Sequence, residues 1–313
     1  MAVTNRQQAV ASATSEVHEL SPYLGAAIRC GDVRQLGDAG VDAIRRRILE
    51  HLVVVIRGQD LTDPELIAFG SRLGELDVAP YGYTYDQKER PHDEVIVVSN
   101  VREDGKPIGV LGDAEVVWHS DNSYRETPLS MSLLYGVEVP AAGGETGFLN
   151  MYLAHDMLPA YLRRTVQSLV IKHDITYNSA GELRRGFDHV SDPVKAPGPH
   201  HPIIRTHPET GYDTLYLGRR PNAYVCGYSP AESESLLNTL WSHATREAFA
   251  FRHAWQRGDI VIWDNRCVMH HRTPFDASAR RIMHRLQFKG GRPMFDPGSA
   301  TRGRHPRATA VRI

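Results

Sequence analysis

Short apolar runs rich in β-branched residues, separated by turn-forming segments, dominate the chain. Leu52-Val53-Val54-Val55-Ile56 is continuously apolar, the pattern of a strand buried on both faces. Glu94 to Ser99, Met131 to Val139, Ile260 to Asp264 and Arg281 to Phe288 predict further strands, and Ala248 to Phe251 alternates as a strand does. Pro202 to Thr206 and Thr214 to Leu217 flank His207-Pro208-Glu209-Thr210-Gly211, a hairpin signal. Helical periodicity is confined to a few places. Val41 to Glu50 carries it, as does the stretch opened by the capping box Thr62-Asp63-Pro64-Glu65, which buries Leu66, Phe69 and Leu73 and ends near Gly74. Residues 151 to about 170 predict a third helix, with Met157, Leu158, Tyr161, Leu162, Val166 and Leu169 on its stripe. Ser229 to Glu232 caps a fourth, with Leu236, Leu237, Leu240 and Trp241 on one face. Pro80 to Pro91 reads as a tyrosine-bearing loop, and Lys172 to His200 as a long polar excursion. The expected fold class is mainly β with helical insertions (α+β), an antiparallel double-sheet barrel or jelly roll. No repeat or linker divides the chain. One domain is expected over residues 1–313, with about 1–20 and 294–313 as flexible or contact-making tails.

Composition narrows the class. With 313 residues, 41% hydrophobic and 23% charged, the chain can bury a large core. A net charge of -1 gives no reason to expect nucleic acid or an anionic membrane as partner. No run is long enough to span a membrane, and the first residues lack the apolar centre of a signal peptide. Three scattered cysteines exclude a disulfide framework and a cysteine zinc site, so a cytoplasmic protein is expected. A homo-oligomer, dimer or tetramer, is the expected assembly.

Trp118-His119-Ser120-Asp121 carries the chemistry. Positions i and i+2 of a strand share a face, so His119 and Asp121 can point at one ion. The stretch Trp263-Asp264-Asn265-Arg266-Cys267-Val268-Met269-His270 offers a third ligand. Two histidines and a carboxylate on one face, with other positions open, is the donor set of non-haem Fe(II) oxygenases. His-x-Asp is common by chance, so the rest of the chain must support it. Arg281 and Arg285 lie an even number of residues apart on one predicted strand, so both can face one cavity. A guanidinium pairs bidentately with a carboxylate, which fixes the orientation of a bound acid. Arg280 should point outward.

Four stretches in order, Trp118 to Asp121, Gly143-Gly144-Glu145-Thr146, Trp263 to Arg266 followed after three residues by His270, and Arg280 to Arg285, make the chain resemble the TauD/TfdA family of Fe(II)- and 2-oxoglutarate-dependent dioxygenases. The similarity runs from about residue 40 to 290. It implies a double-stranded β-helix core. It implies that His119, Asp121 and His270 hold Fe(II), that Thr146 and Arg281 bind the far carboxylate of 2-oxoglutarate, and that O2 is the second cosubstrate. By the same resemblance Arg285 meets an anionic substrate group or lies beside the cosubstrate. His271 neighbours His270 and should face the other way; His284 is expected to be structural.

The resemblance implies a reaction in which 2-oxoglutarate becomes succinate and CO2 while a small anionic carboxylate or sulfonate is hydroxylated or oxidatively cleaved. Asp121 argues against halogenation, because related halogenases lack this carboxylate. Ala79 stands where a taurine-specific histidine would be placed, so taurine is not the expected substrate. Asn122, Tyr81 and Tyr83 are the expected local substrate contacts. Desaturation or isonitrile formation on an amino-acid-derived substrate is the alternative outcome. A non-catalytic metal-binding jelly roll is the alternative class.

Overall fold

A computed structural model describes residues 16–78, 92–112, 116–178 and 181–309. Among them nine strands form one sheet, eight in the order Val17–Glu19, Ala26–Ile28, Val53–Ile56, Ile260–Asp264, Met131–Glu138, Ile282–Phe288, Ile96–Ser99 and Val110–Leu111. Leu76–Asp77 also pairs with Ile282–Phe288. A second sheet runs Ala250–His253, Thr146–Asn150, Val268–Arg272, Val116–His119. Neighbours are antiparallel except where Ala26–Ile28 meets Val53–Ile56 and Ile96–Ser99 meets Val110–Leu111.

The larger sheet is apolar on both faces, and each face has its own cover. Val54, Ile56, Leu133, Ile260, Ile262, Leu286 and Phe288 pack with Ile44, Ile48, Leu66, Phe69 and Leu73 of the helices Asp38–His51 and Asp63–Leu73. The alternate positions Val53, Val55, Leu134, Val261, Trp263 and Met283 join Phe148 of the smaller sheet in the second core. This double cover explains the continuous apolar runs, since every position of the central strands Val53–Ile56 and Ile260–Asp264 is buried. Leu66 and Leu73 are fully buried, each contributing about 1.5–3 kcal/mol. The Thr62/Glu65 and Ser229/Glu232 capping boxes both form and start their helices where the sequence places them.

Three local expectations change. The predicted 151–170 helix is two helices, Met151–Asp156 and Ala160–Val166, with Pro159 between them. Proline cannot donate its backbone hydrogen bond and disfavours helix in the residue before it. Tyr161, placed on the apolar stripe, is 63% exposed as a result. Phe249 lies in a 3-10 turn, and the strand predicted from Ala248 runs instead from Ala250 to His253. Val17–Glu19, grouped with the N-terminal tail, forms a strand paired to Ala26–Ile28. The polar excursion is tied at its base, because Val170–Lys172 pairs with His200–Pro202 and Tyr224–Val225. At the other end, Arg307 donates to His51 Nδ1 at 2.6 Å and to Glu19 at 2.8 Å.

Burial makes several histidines poor bases. His51, His201 and His305 are each pushed down to about 4, first by burial. Arg307 adds to the effect at His51. The unfolded chain binds these protons near pH 6.5 and the folded chain does not. Their contribution to stability is therefore complete above pH 6.5 and is lost as pH falls towards 4, at up to ~1.4 kcal/mol per group per pH unit. Thermal unfolding should show a melting temperature that drops steeply between pH 6.5 and 4.5; a flat profile there would refute this.

Candidate active site

Trp118 and His119 end the strand Val116–His119, which pairs with Val268–Arg272 in a register that sets His119 opposite His270. Cross-strand partners share a face, and the two imidazole centroids are 4.2 Å apart. Asp121 lies two residues past the strand, in a turn rather than on the predicted strand end. The turn still returns its carboxylate. Asp121 Oδ1 is 3.5 Å from His119 Nε2 and 3.8 Å from His270 Nε2. Among the described residues these three form a buried cluster whose ligand atoms all lie within 4.8 Å of one another.

The donor set fits a divalent metal such as Fe(II) on chemistry as well as spacing. His119 Nδ1 lies 2.8 Å from the Val117 carbonyl. That carbonyl can only accept, so the ring proton belongs on Nδ1 and the Nε2 lone pair faces the carboxylate. Burial pushes His270 well below its usual value, leaving it neutral as a ligand must be. Burial opposes ionisation of Asp121, but the opposing interactions, the Arg285 charge among them, outweigh it and hold the carboxyl well below the usual range.

Asp121 is braced from behind. Ser132 donates to Asp121 Oδ2 at 2.6 Å, Asn265 Nδ2 donates to Ser132 Oγ at 2.8 Å, and Trp263 Nε1 donates to Asn265 Oδ1 at 2.9 Å. All four residues are buried. The relay occupies one carboxylate oxygen and turns the other towards the histidines. Sequence reasoning missed Ser132, although a lone polar residue in the run Met131-Ser132-Leu133-Leu134 was a signal. Ser132→Ala should lower Mn(II) or Fe(II) affinity about 10–100-fold with the fold intact. Calorimetric titration with Mn(II) checks it, and unchanged affinity would remove the relay's role.

Beside the triad is a second polar region. Arg281 immediately precedes Ile282–Phe288 and is 2% exposed. Its Nε and Nη1 are buried without hydrogen-bond partners. Burial, and then the charge of Arg272, push its guanidinium down to about 9. Arg272 stands opposite Thr146 across the strand pair. Thr146 Oγ1 accepts from Trp255 Nε1 at 2.9 Å, another contact not read from the sequence. Gly144, two residues from Thr146, has positive φ, and a Cβ there would stand 3.4 Å from Arg281 Nε. A buried, unsatisfied guanidinium in this position suits the carboxylate of a dicarboxylic acid.

Arg285 lies four residues on. Its Nη1 is 3.5 Å from Asp121 Oδ1, and its Nε is buried and unpartnered. Met283, between the two arginines, belongs to the inter-sheet core, whereas Leu286 belongs to the opposite one. The sequence-predicted alternation therefore holds. His284 faces the helical side, with Nδ1 2.5 Å from Asp63 Oδ1. Arg280 points outward and pairs with exposed Glu138 at 2.9 Å. His271 lies against Trp118, centroids 4.0 Å apart, and covers Gly147, where a Cβ would meet its ring at 2.3 Å. It thus faces away from the triad.

Asn122 adopts a left-handed backbone, φ 51°, and its Oδ1 accepts from Tyr124 at 2.8 Å. Tyr81 and Tyr83 lie outside the described residues. Asp264 and Arg266, beside Asn265, act as a brace elsewhere. Asp264 accepts from Arg266 at 2.8 and 2.6 Å and lies 3.0 Å from His207 Nε2. This commitment of both oxygens makes the nearby His207, Asp264 and Cys267 grouping a structural one.

Comparisons with known proteins show the family. The family model described as taurine catabolism dioxygenase TauD, TfdA family, matches residues 16–287. The chain is 35% identical over 279 residues to the alpha-ketoglutarate-dependent 2,4-dichlorophenoxyacetate dioxygenase of Cupriavidus pinatubonensis, covering 85% of this chain and 94% of that protein. It is 31% identical over 300 residues to the (S)-phenoxypropionate/alpha-ketoglutarate-dioxygenase of Sphingobium herbicidovorans, covering 91% and 97%. The crystal structure of AAD-2 in complex with Mn(II) and N-oxalylglycine superposes with a TM-score of 0.77 at 30% identity, covering 89% of this chain and 99% of that one. The chain therefore belongs to the TauD/TfdA family and is a 2-oxoglutarate-dependent dioxygenase, an oxidoreductase that uses iron, 2-oxoglutarate and O2.

Proposed function

We propose that this dioxygenase hydroxylates a small organic carboxylate, with aryloxyalkanoic acids the first class to test, and that Arg285 receives the substrate's anionic group. The observation that carries the reading is the placement of Arg285: a guanidinium with an unpartnered buried Nε, 3.5 Å from the triad carboxylate. The two relatives named for phenoxyalkanoates support the substrate class. His119, Asp121 and His270 hold the iron, and Arg281 with Thr146 takes the far carboxylate of 2-oxoglutarate. Iron bound there supplies the oxidation, coupling the conversion of 2-oxoglutarate and O2 into succinate and CO2 to oxygen insertion at a substrate C–H bond. The chain's own residues orient the reactants. His119 keeps its proton on the Val117 side, Ser132 fixes the carboxylate, and Arg285 sets the substrate carbon next to the metal. Where that carbon bears an ether oxygen, its hydroxylation gives a hemiacetal that falls apart, which would make the reaction a cleavage. The two facing sheets that share the inter-sheet core support a double-stranded β-helix.

Succinate release with a panel of aryloxy- and alkyl-carboxylates and sulfonates tests the reading. Arg285→Gln should raise the substrate KM at least ten-fold and leave the 2-oxoglutarate requirement within about three-fold, since a lost charge-assisted pair costs about 1.5–3 kcal/mol. The opposite split would reassign Arg285 to the cosubstrate.

A further inference from the structure

Two buried cations stand near the triad that neither the metal nor the cosubstrate uses. Arg219 forms an antiparallel bridge with His119, and Ser120 N donates to the Gly218 carbonyl at 3.0 Å. Bridge partners put their side chains on one face, so Arg219 shares the face of His119. Arg184 reaches the same place from the polar excursion. Arg219 is 5% exposed and Arg184 7%. Both donate to the single carbonyl of Tyr177, Arg184 Nε at 3.2 Å and Arg219 through Nη2. Both guanidinium carbons lie over the Tyr124 ring, at 4.0 and 5.9 Å from its centroid. Tyr124 in turn donates to Asn122, the residue after Asp121.

Arg184 Nη1 and Arg219 Nη1 are buried without hydrogen-bond partners. Burial and the charge of Arg184 push Arg219 down to about 10. Asp174, an acid whose charge Arg219 feels, is engaged by Thr176 at 2.8 and 2.5 Å and by Asn222 at 3.2 Å. Arg266, which braces the fold, has by contrast the Asp264 carboxylate at 2.6 Å. Two like charges sharing one neutral oxygen in a buried place are costly unless an anion joins them.

We infer that Arg184 and Arg219, set over the Tyr124 ring, form an oxyanion subsite near the triad, and that the physiological substrate carries a second acidic group which docks there. The inference rests on the proposal that Arg285 takes the first. The substrate is then a dianion. Tyr124 offers a flat face beneath the group that joins its two ends.

Two measurements test it. First, thermal unfolding of the metal-free Arg281→Met protein is followed in sodium sulfate against sodium chloride of equal ionic strength, the substitution keeping sulfate out of the cosubstrate pocket. Sulfate should raise the melting temperature, and adding Arg184→Gln with Arg219→Gln should abolish the difference. No sulfate effect, or one that survives the double substitution, overturns the subsite. So does a double variant that unfolds many degrees lower in chloride, because the pair would then be a brace. Second, succinate release is compared for phenoxyacetate and 4-carboxyphenoxyacetate on an otherwise unaltered background. The double variant should raise KM for the dianion at least ten-fold more than for the monoanion; equal changes overturn the dianion reading. The failure of the Arg285 assignment looks different: Arg285→Gln would leave both KM values unchanged while the sulfate effect remained. Should neither phenoxy compound release succinate, the sulfate comparison alone decides the subsite.

Discussion

Replacing Arg281 with methionine should make the protein harder to melt and destroy its use of 2-oxoglutarate. The side chain is 2% exposed, with Nε and Nη1 unpartnered. Burial and Arg272 disfavour its charge, to about 9. Without cosubstrate the fold therefore carries an uncompensated cation at neutral pH, a cost relieved only as pH rises past 9. An apolar side chain of similar length removes that cost, and replacing buried ionic groups by apolar ones has stabilised proteins by about 1–4 kcal/mol. A dianion that pairs with Arg281 gives back the same energy by binding. In thermal unfolding the unaltered protein should be stabilised by N-oxalylglycine with Mn(II). Arg281→Met should start higher and gain nothing from N-oxalylglycine. Its 2-oxoglutarate requirement should rise at least 100-fold, the effect of about 2.7 kcal/mol of lost binding. A variant that melts lower yet keeps the ligand-induced shift would move the cosubstrate elsewhere.

Asp121→Asn should cost the metal instead. The amide keeps the shape and can still accept from Ser132, but it removes the charge that balances Arg285 at 3.5 Å. The altered cluster offers two neutral imidazoles and a neutral oxygen in a buried place. Affinity for Fe(II) or Mn(II) should fall at least 100-fold by calorimetry, with succinate release lost, because carboxylate charge is a main part of the attraction for a hard divalent cation. The ligand-free melting temperature reports the opposing effect, since Arg285 is then left without its counter-charge. If the Asp121→Asn variant binds Mn(II) as tightly as the unaltered protein, the triad is not the metal site.

The sequence pointed to His119, Asp121, His270 and Arg281 through four ordered stretches that resemble a family pattern, while strand alternation, a local rule, supplied only the shared face of Arg281 and Arg285. The two capping boxes were legible because their pattern is local as well. Asp121 shows the limit of that reasoning. Its position past the end of its strand makes a turn, not alternation, bring its oxygen within 3.8 Å of His270. Residues that act through partners distant in sequence were harder to see. Ser132 meets Asp121 across 11 residues and Asn265 across 133, and Trp255 meets Thr146 across 109. Nothing near Ser132 or Trp255 in the sequence names those partners; only the sheet register does. The split of the 151–170 helix was readable at Pro159, but the apolar stripe on either side outweighed the proline.

The register that sets His119 against His270 has a consequence for the order in which the enzyme matures. The two ligands lie about 150 residues apart in sequence, and such pairings form late because the intervening chain must first be ordered. On the proposed iron assignment, a nascent or partly unfolded chain whose smaller sheet is still open offers iron His119 and Asp121 but not the third ligand. Iron is then held weakly at the stage when the chain is open to solvent and most easily damaged by oxidation. On that assignment the topology would act as a timing device: the chain would gain its full hold on a reactive metal only after the walls that shield its own side chains are in place.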